Sequence, residues 1–62
     1  MSEHTLEASQ WTAIIDAAIE RRHWSFAWAA ASEMAHDGWP TESAEARSLV
    51  VDCIRESVGG AA

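Results

Sequence analysis

The spacing of apolar residues between positions 11 and 36 constrains the fold more than any other feature of this sequence. At about 100° per residue, it produces two amphipathic stripes, which predict helices over about 9–22 and 24–36. The first stripe consists of Trp11, Ile14, Ile15, Ala18 and Ile19. The second stripe consists of Trp24, Ala27, Trp28, Ala31, Met34 and Ala35. On one continuous helix the two stripes would face nearly opposite sides, so we expect the chain to bend near His23.

The segment DGWPT separates these two helices from a third. Gly38 suits the left-handed backbone that ends a helix, and Pro40 cannot continue one. Thr41 is a favoured N-cap residue, and a third helix is predicted over about 41–58. No stretch has the sustained alternation of a β-strand. The expected fold is all-α: a small three-helix bundle in which a helical hairpin at about 9–36 packs against the third helix.

The third predicted helix has a main apolar stripe and a weaker second set. The main stripe consists of Ala44, Arg47, Val50, Val51, Ile54 and Val58. The weaker set consists of Ala46, Leu49 and Cys53. The 62 residues are expected to form one domain, with flexible ends at 1–8 and 59–62.

A single core of this size stabilises a fold by a few kcal/mol at most. The only cysteine, Cys53, excludes an internal disulfide, and no residues have metal-ligand spacing. Stability is therefore expected to come from close helix packing, or from association with a partner or a second copy.

Some apolar residues lie outside the stripes that a three-helix bundle needs to bury. On this basis Phe26, Ala30 and Leu49 are candidates for a partner-binding surface. The alternative is that the second helix lies in the middle of the bundle and is covered on both sides. Trp39 either closes the end of the bundle or projects outward as a further binding anchor.

Ten acidic residues against four arginines give the chain a net charge of −6. Such a surface repels phosphate, which argues against direct binding to nucleic acid or to an anionic membrane. The longest apolar run, FAWAAA, is too short to span a membrane, and the N-terminus lacks the features of a signal peptide. We expect a soluble cytoplasmic protein, and the lone thiol agrees with a reducing compartment.

No pattern of a catalytic or metal site is present in the sequence. The histidines His4, His23 and His36 do not stand at metal-ligand spacing with Cys53. No nucleophile has an evident base, and no Gly-rich phosphate loop precedes a helix. We therefore expect no enzymatic activity, no metal and no cofactor.

Residues 11 to 40 partly resemble a single tetratricopeptide repeat. Trp11, Ile14, Trp24 and Ala27 stand where that motif places a Trp, a Leu, an aromatic residue and an Ala. The sequence departs from the motif at Ile15, Arg22 and Pro40. The resemblance implies a helical hairpin followed by a third helix, and it implies no function.

These features predict a small acidic protein–protein interaction module, an adaptor or inhibitor that binds a protein partner or a second copy of itself. An alternative comes from Glu45, Asp52 and Glu56, which form a narrow acidic stripe at roughly the spacing of phosphates along a strand. Such a stripe suits an inhibitor of a nucleic-acid-handling complex, of the anti-CRISPR or anti-restriction kind that bacteriophages encode. A solvated helix face, which nearly every bundle has, is the favoured explanation of the stripe, and Arg55 interrupts it.

Overall fold

The computed structural model describes residues 4–59, which form three α-helices. Helix α1 spans Ala8–Glu20, α2 spans Trp24–His36 and α3 spans Pro40–Gly59. Helix α2 packs extensively against both neighbours, whereas α1 and α3 contact each other much less. The predicted all-α three-helix bundle is confirmed, and its helix ends differ from the expected ones by at most two residues.

The two ends, 1–8 and 59–62, are predicted from the sequence to be flexible. In the structure, residues 4–6 form hydrogen bonds with the turn between α2 and α3. Ala8 is the first residue of α1, and Gly59 is the last residue of α3. The other residues of the two terminal segments, apart from Glu7 before α1, lie outside the part of the chain that the structure describes.

Helices α1 and α2 end in the same kind of turn. After α1, the His23 N–H donates to the Ala18 carbonyl at 2.9 Å, and the Arg22 N–H donates to the Ile19 carbonyl at 3.0 Å. This pair of hydrogen bonds places a left-handed residue just after the helix, and Arg22 has a φ of 60°. After α2 the left-handed position is taken by Gly38, with a φ of 96°. The bend expected near His23 is confirmed.

Replacing Arg22 by glycine is expected to stabilise the fold. A side chain in the left-handed region costs about 1–2 kcal/mol, although glycine loses more entropy on folding. The expected net gain in the free energy of unfolding is about 0.5–1 kcal/mol, measured by urea denaturation. Arg21→Gly is the matched control, because Arg21 has a φ of −88° and glycine there should destabilise. Destabilisation by both substitutions would contradict this account of the turn.

The core is small and rich in alanine, and more than half of its buried residues come from α2. The buried apolar residues are Ile15, Ala18, Ala27, Ala30, Ala31, Met34 and Val50. The partly buried residues around them are Trp11, Ile14, Ile19, Trp39, Ala46 and Ile54. The stripe predicted for the first helix is confirmed, because each of its members is in one of these two sets.

Helix α2 is rotated about its axis relative to its predicted stripe. Ala30 is buried, whereas Trp28 and Ala35, which were expected in the core, are exposed. The physical reason lies in the contact with α3, where the fully buried Ser43 hydroxyl donates to the Ala31 carbonyl. Small side chains at this contact let the two backbones approach closely, which a tryptophan there would prevent.

Helix α3 is rotated in a corresponding way. Val50 and Ile54 of the predicted main stripe lie in the core or against it, whereas Ala44 and Val58 of that stripe are exposed. The core side also includes Ser43 and Ala46, which were not in the stripe. The apolar pattern missed Ser43 because it counts every serine as polar, even one whose hydroxyl is buried and hydrogen-bonded. Burial of this hydroxyl is tolerated because it is hydrogen-bonded.

Candidate docking surface

The residues predicted to bind a partner occupy different environments. Phe26 is 56% exposed and Leu49 is 45% exposed, and both therefore remain accessible after folding. Ala30 lies in the core, which corrects the prediction that it contacts a partner. Two alternatives were open for α2, burial on both sides or an exposed apolar face. Ala30 is buried as the first alternative predicts, and Phe26 is exposed as the second predicts.

Trp39 closes the end of the bundle. Its ring stacks on the His4 ring, with the ring centroids 4.2 Å apart and an angle of 26° between the planes. Its Nε1–H donates to the Leu6 carbonyl at 3.0 Å, and its side chain packs against the core. Trp39 is half-buried, so the alternative of an outward binding anchor is corrected in favour of a plug.

Asp37 ties the chain before α1 to the turn between α2 and α3. Its carboxylate accepts hydrogen bonds from the Thr5 N–H, from the Leu6 N–H at 3.0 Å and from the Trp11 Nε1–H at 2.7 Å. We call Asp37 and these three donors the N-terminal latch. The backbone N–H of Thr5, followed by that of Leu6 and by the Trp11 ring, holds the pKa of Asp37 well below its ordinary value of 3.8.

Gly38 makes room for the residue that precedes the latch. His4 Nδ1 lies 2.6 Å from the Asp37 carbonyl oxygen, at hydrogen-bond distance. A Cβ atom on Gly38 would lie 2.5 Å from His4 Cε1. Glycine is therefore favoured at this position by its positive φ, and a larger residue would also displace the imidazole ring of His4.

A groove of about 190 Å³ lies between α1 and α3. Its lining residues, which we call the acidic groove, are Thr12, Ile15, Asp16, Glu42, Glu45, Ala46 and Leu49. Ile15 is fully buried and forms the floor, whereas Leu49 remains accessible. Carboxylates stand on both walls, with Asp16 on α1 and Glu42 and Glu45 on α3. None of the three forms a hydrogen bond or an ion pair within residues 4–59.

A second groove, of about 360 Å³, lies beside the contact between α2 and α3. Its lining residues, which we call the arginine groove, are Trp28, Ala44, Arg47, Ser48, Val51, Asp52 and Arg55. It holds two of the four arginines of the chain, and its tryptophan is 42% exposed. The Arg47 Nε is buried and has no hydrogen-bond partner among the described residues. The two grooves share no residue.

The three members of the acidic stripe are exposed, but the structure distributes them over different grooves. Glu45 lines the acidic groove and Asp52 lines the arginine groove. Glu56 lines a third groove together with Arg22. Two of the three carboxylates thus share their surroundings with arginine, unlike successive phosphates of a strand. This arrangement does not favour the nucleic-acid-mimic alternative.

Across positions 4 to 59, no group of three or more His, Cys, Asp or Glu residues is arranged to hold a metal ion. None of the three helices is long and apolar enough to cross a membrane, as judged from the same residues. Cys53 is a free, half-buried thiol.

Comparison with protein-family models, with curated proteins and with solved structures finds no match to this chain. The structure therefore defines its class by fold alone, as a small all-α three-helix bundle. No family model supports the partial resemblance to a tetratricopeptide repeat, although the helical hairpin and third helix that it implied are present.

Proposed function

We propose that this chain is a protein–protein interaction module and that the acidic groove is its docking site. The observation that carries the proposal is Leu49, a large apolar side chain that stays 45% exposed at the edge of a groove whose floor is apolar. Covering the part of this side chain that is still exposed would stabilise a complex by about 0.7–1.4 kcal/mol.

The size of the groove favours a protein partner over a small molecule. Sites for drug-sized ligands enclose roughly 300–1,000 Å³. The acidic groove offers about 190 Å³, which suits one or two side chains projecting from a larger partner surface. A partner that inserts apolar side chains here would contact α1 and α3 together and would cover Leu49.

Phe26 and Trp28 are exposed elsewhere and are not part of this proposal. Trp28 lines the arginine groove, and Phe26 lines neither groove. Single exposed apolar side chains are common on folded proteins and need no partner to explain them. Leu49 differs from Phe26 because it stands in a concave site, and from Trp28 because its groove lies between α1 and α3, the two helices that contact each other least.

The proposal is tested with two neutral substitutions on the same helix. Leu49→Gln removes the apolar contact in the groove, and Val58→Gln is the matched control, because Val58 is 81% exposed and lines neither the acidic nor the arginine groove. A partner is isolated with the wild-type chain as bait, purified, and titrated against all three chains by calorimetry. We expect Leu49→Gln to weaken binding by about three- to tenfold, and Val58→Gln to leave it unchanged.

Circular dichroism establishes that both variants retain the helical content of the wild type. Equal affinity of the partner for the wild type and for Leu49→Gln would contradict the acidic groove as the docking site.

A further inference from the structure

The geometry points to a basic amphipathic helix of a protein partner as the occupant of the acidic groove. This inference rests on the proposed function and adds the chemical class of the partner. It is derived from the charges on the two walls, from the apolar lining between them, and from the small contact between α1 and α3.

The charges around the groove are all of one sign. Asp16 approaches from α1, and Glu42 and Glu45 approach from α3, while no arginine lines the groove. Within residues 4–59 no side chain forms a hydrogen bond or an ion pair with these carboxylates, and the positive N-terminal end of α3 lies beside Glu42 alone of the three. Lysine or arginine side chains of a docked segment would supply the missing counter-charges, and acidic segments would be repelled.

The lining between the carboxylates is apolar. Ala46 and Leu49 from α3 provide accessible apolar surface above the buried Ile15, and apolar side chains can cover it without leaving unpaired polar groups. Thr12 adds one hydroxyl to the lining. An amphipathic helix satisfies both requirements, because residues at i, i+3, i+4 and i+7 form an apolar face with charged residues beside it.

The packing of the bundle leaves room for such a helix. Helices α1 and α3 both pack on α2 and contact each other only slightly. A helix laid along the acidic groove would contact both of them, as a fourth helix does in a bundle.

A second copy of this chain is a poorer occupant than a basic partner. Each chain carries ten acidic residues and four arginines, for a net charge of −6, and two copies therefore repel each other. Phosphate-bearing ligands are disfavoured by the same carboxylates. The occupant that the charges favour is a protein segment rich in lysine or arginine.

The probe is a synthetic amphipathic peptide of about 15 residues, with leucines on one face and lysines beside them. Its matched control has the same leucines and glutamate in place of every lysine. Fluorescence anisotropy of the labelled peptides measures their affinities for the full-length chain. We expect the lysine peptide to bind at least about tenfold more tightly than the glutamate peptide, with an affinity that falls as salt is added.

Two double variants separate the groove from the overall charge. Glu42→Gln/Glu45→Gln removes two charges from the groove, and Glu20→Gln/Glu33→Gln removes two exposed charges elsewhere. The two double variants have the same net charge. Only Glu42→Gln/Glu45→Gln should therefore lower the affinity for the lysine peptide, by about tenfold. If Glu42→Gln/Glu45→Gln loses helicity, Asp16→Asn on the opposite wall takes its place, with an expected loss of about threefold.

Three results would overturn the inference. The first is an equal loss of affinity in the two double variants, which would make the attraction a property of net charge. The second is failure of the lysine peptide to bind the wild type. The third is a wild-type dimer that Leu49→Gln converts to monomer in sedimentation, which would assign the groove to a second copy.

Failure of the inference is distinguishable from failure of the proposed function. If the lysine peptide does not bind, and Leu49→Gln still lowers the affinity for the isolated protein partner, the groove is a docking site for a partner that is not basic. If the isolated partner binds Leu49→Gln as well as the wild type, the proposed function itself fails.

Discussion

Replacing Met34 by alanine is expected to unfold a large fraction of the chain at room temperature. Met34 is 1% exposed and lies at the centre of the core, and deleting a buried side chain of this size costs about 2–5 kcal/mol. A single core in a chain of this length supplies roughly 3–5 kcal/mol in total. The loss is therefore comparable with the whole free energy of unfolding.

The measurement is the helical circular dichroism signal during thermal and urea denaturation. Val58→Ala is the control, because Val58 is 81% exposed and the same kind of truncation there should change stability by no more than about 0.5 kcal/mol. A cooperative Met34→Ala transition that coincides with the transition of the wild type would show that the core does not depend on this side chain.

Apolar periodicity predicted the number of helices, their approximate ends and the buried face of α1. It succeeded on α1 because Ile15 is large and apolar and lies at the centre of a stripe with polar residues opposite. On α2 it predicted three of the four buried residues, but it included Trp28 and left out Ala30, because a stripe that contains Trp28 looks more hydrophobic. Burial there is decided by how closely two helices approach, and helical periodicity contains no information about that distance.

The N-terminal latch was not predictable from periodicity. Asp37 and Leu6 are separated by 31 positions in sequence, and their hydrogen bond forms only because the hairpin brings the start of α1 beside the end of α2. The same geometry decides the position of Trp39, which sequence reasoning left open between a plug and an anchor. A polar residue in a turn, next to a glycine and a tryptophan, was the only local sign of the latch.

The candidate site was predicted in part. Leu49 belongs to the weaker apolar set of the third helix, which lies outside the main stripe. The pattern of that one helix therefore made Leu49 a candidate for an accessible side chain. The acidic groove as a whole requires the pairing of Asp16 on α1 with Glu42 and Glu45 on α3. Because that pairing depends on the relative rotation of two helices, no single-helix pattern contains it.

Replacing Asp37 by asparagine is expected to destabilise the fold near neutral pH and to remove part of its sensitivity to acid. Both carboxylate oxygens accept hydrogen bonds, one from Thr5 and the other from Leu6 and Trp11. In either orientation the NH₂ group of the asparagine points at one or more of these N–H donors. At least one hydrogen bond is therefore lost, and two hydrogen-bond donors are left facing each other.

The pH dependence follows from the lowered pKa of Asp37, whose main cause is the Thr5 N–H. Below the ordinary value of 3.8 the unfolded chain binds a proton at Asp37 that the folded chain does not, so the stabilisation is complete above about pH 5 and is lost as the pH falls. Thermal denaturation of the wild type and Asp37→Asn should therefore differ most near pH 7, and the difference should narrow towards about pH 2. Asp16→Asn is the matched control, because it makes the same change of charge at an exposed residue whose side chain has no hydrogen bond in the described chain and no arginine in its groove. It should keep the wild-type pH dependence. Parallel pH profiles for the wild type and Asp37→Asn would show that the latch carboxylate does not contribute to folding through its charge.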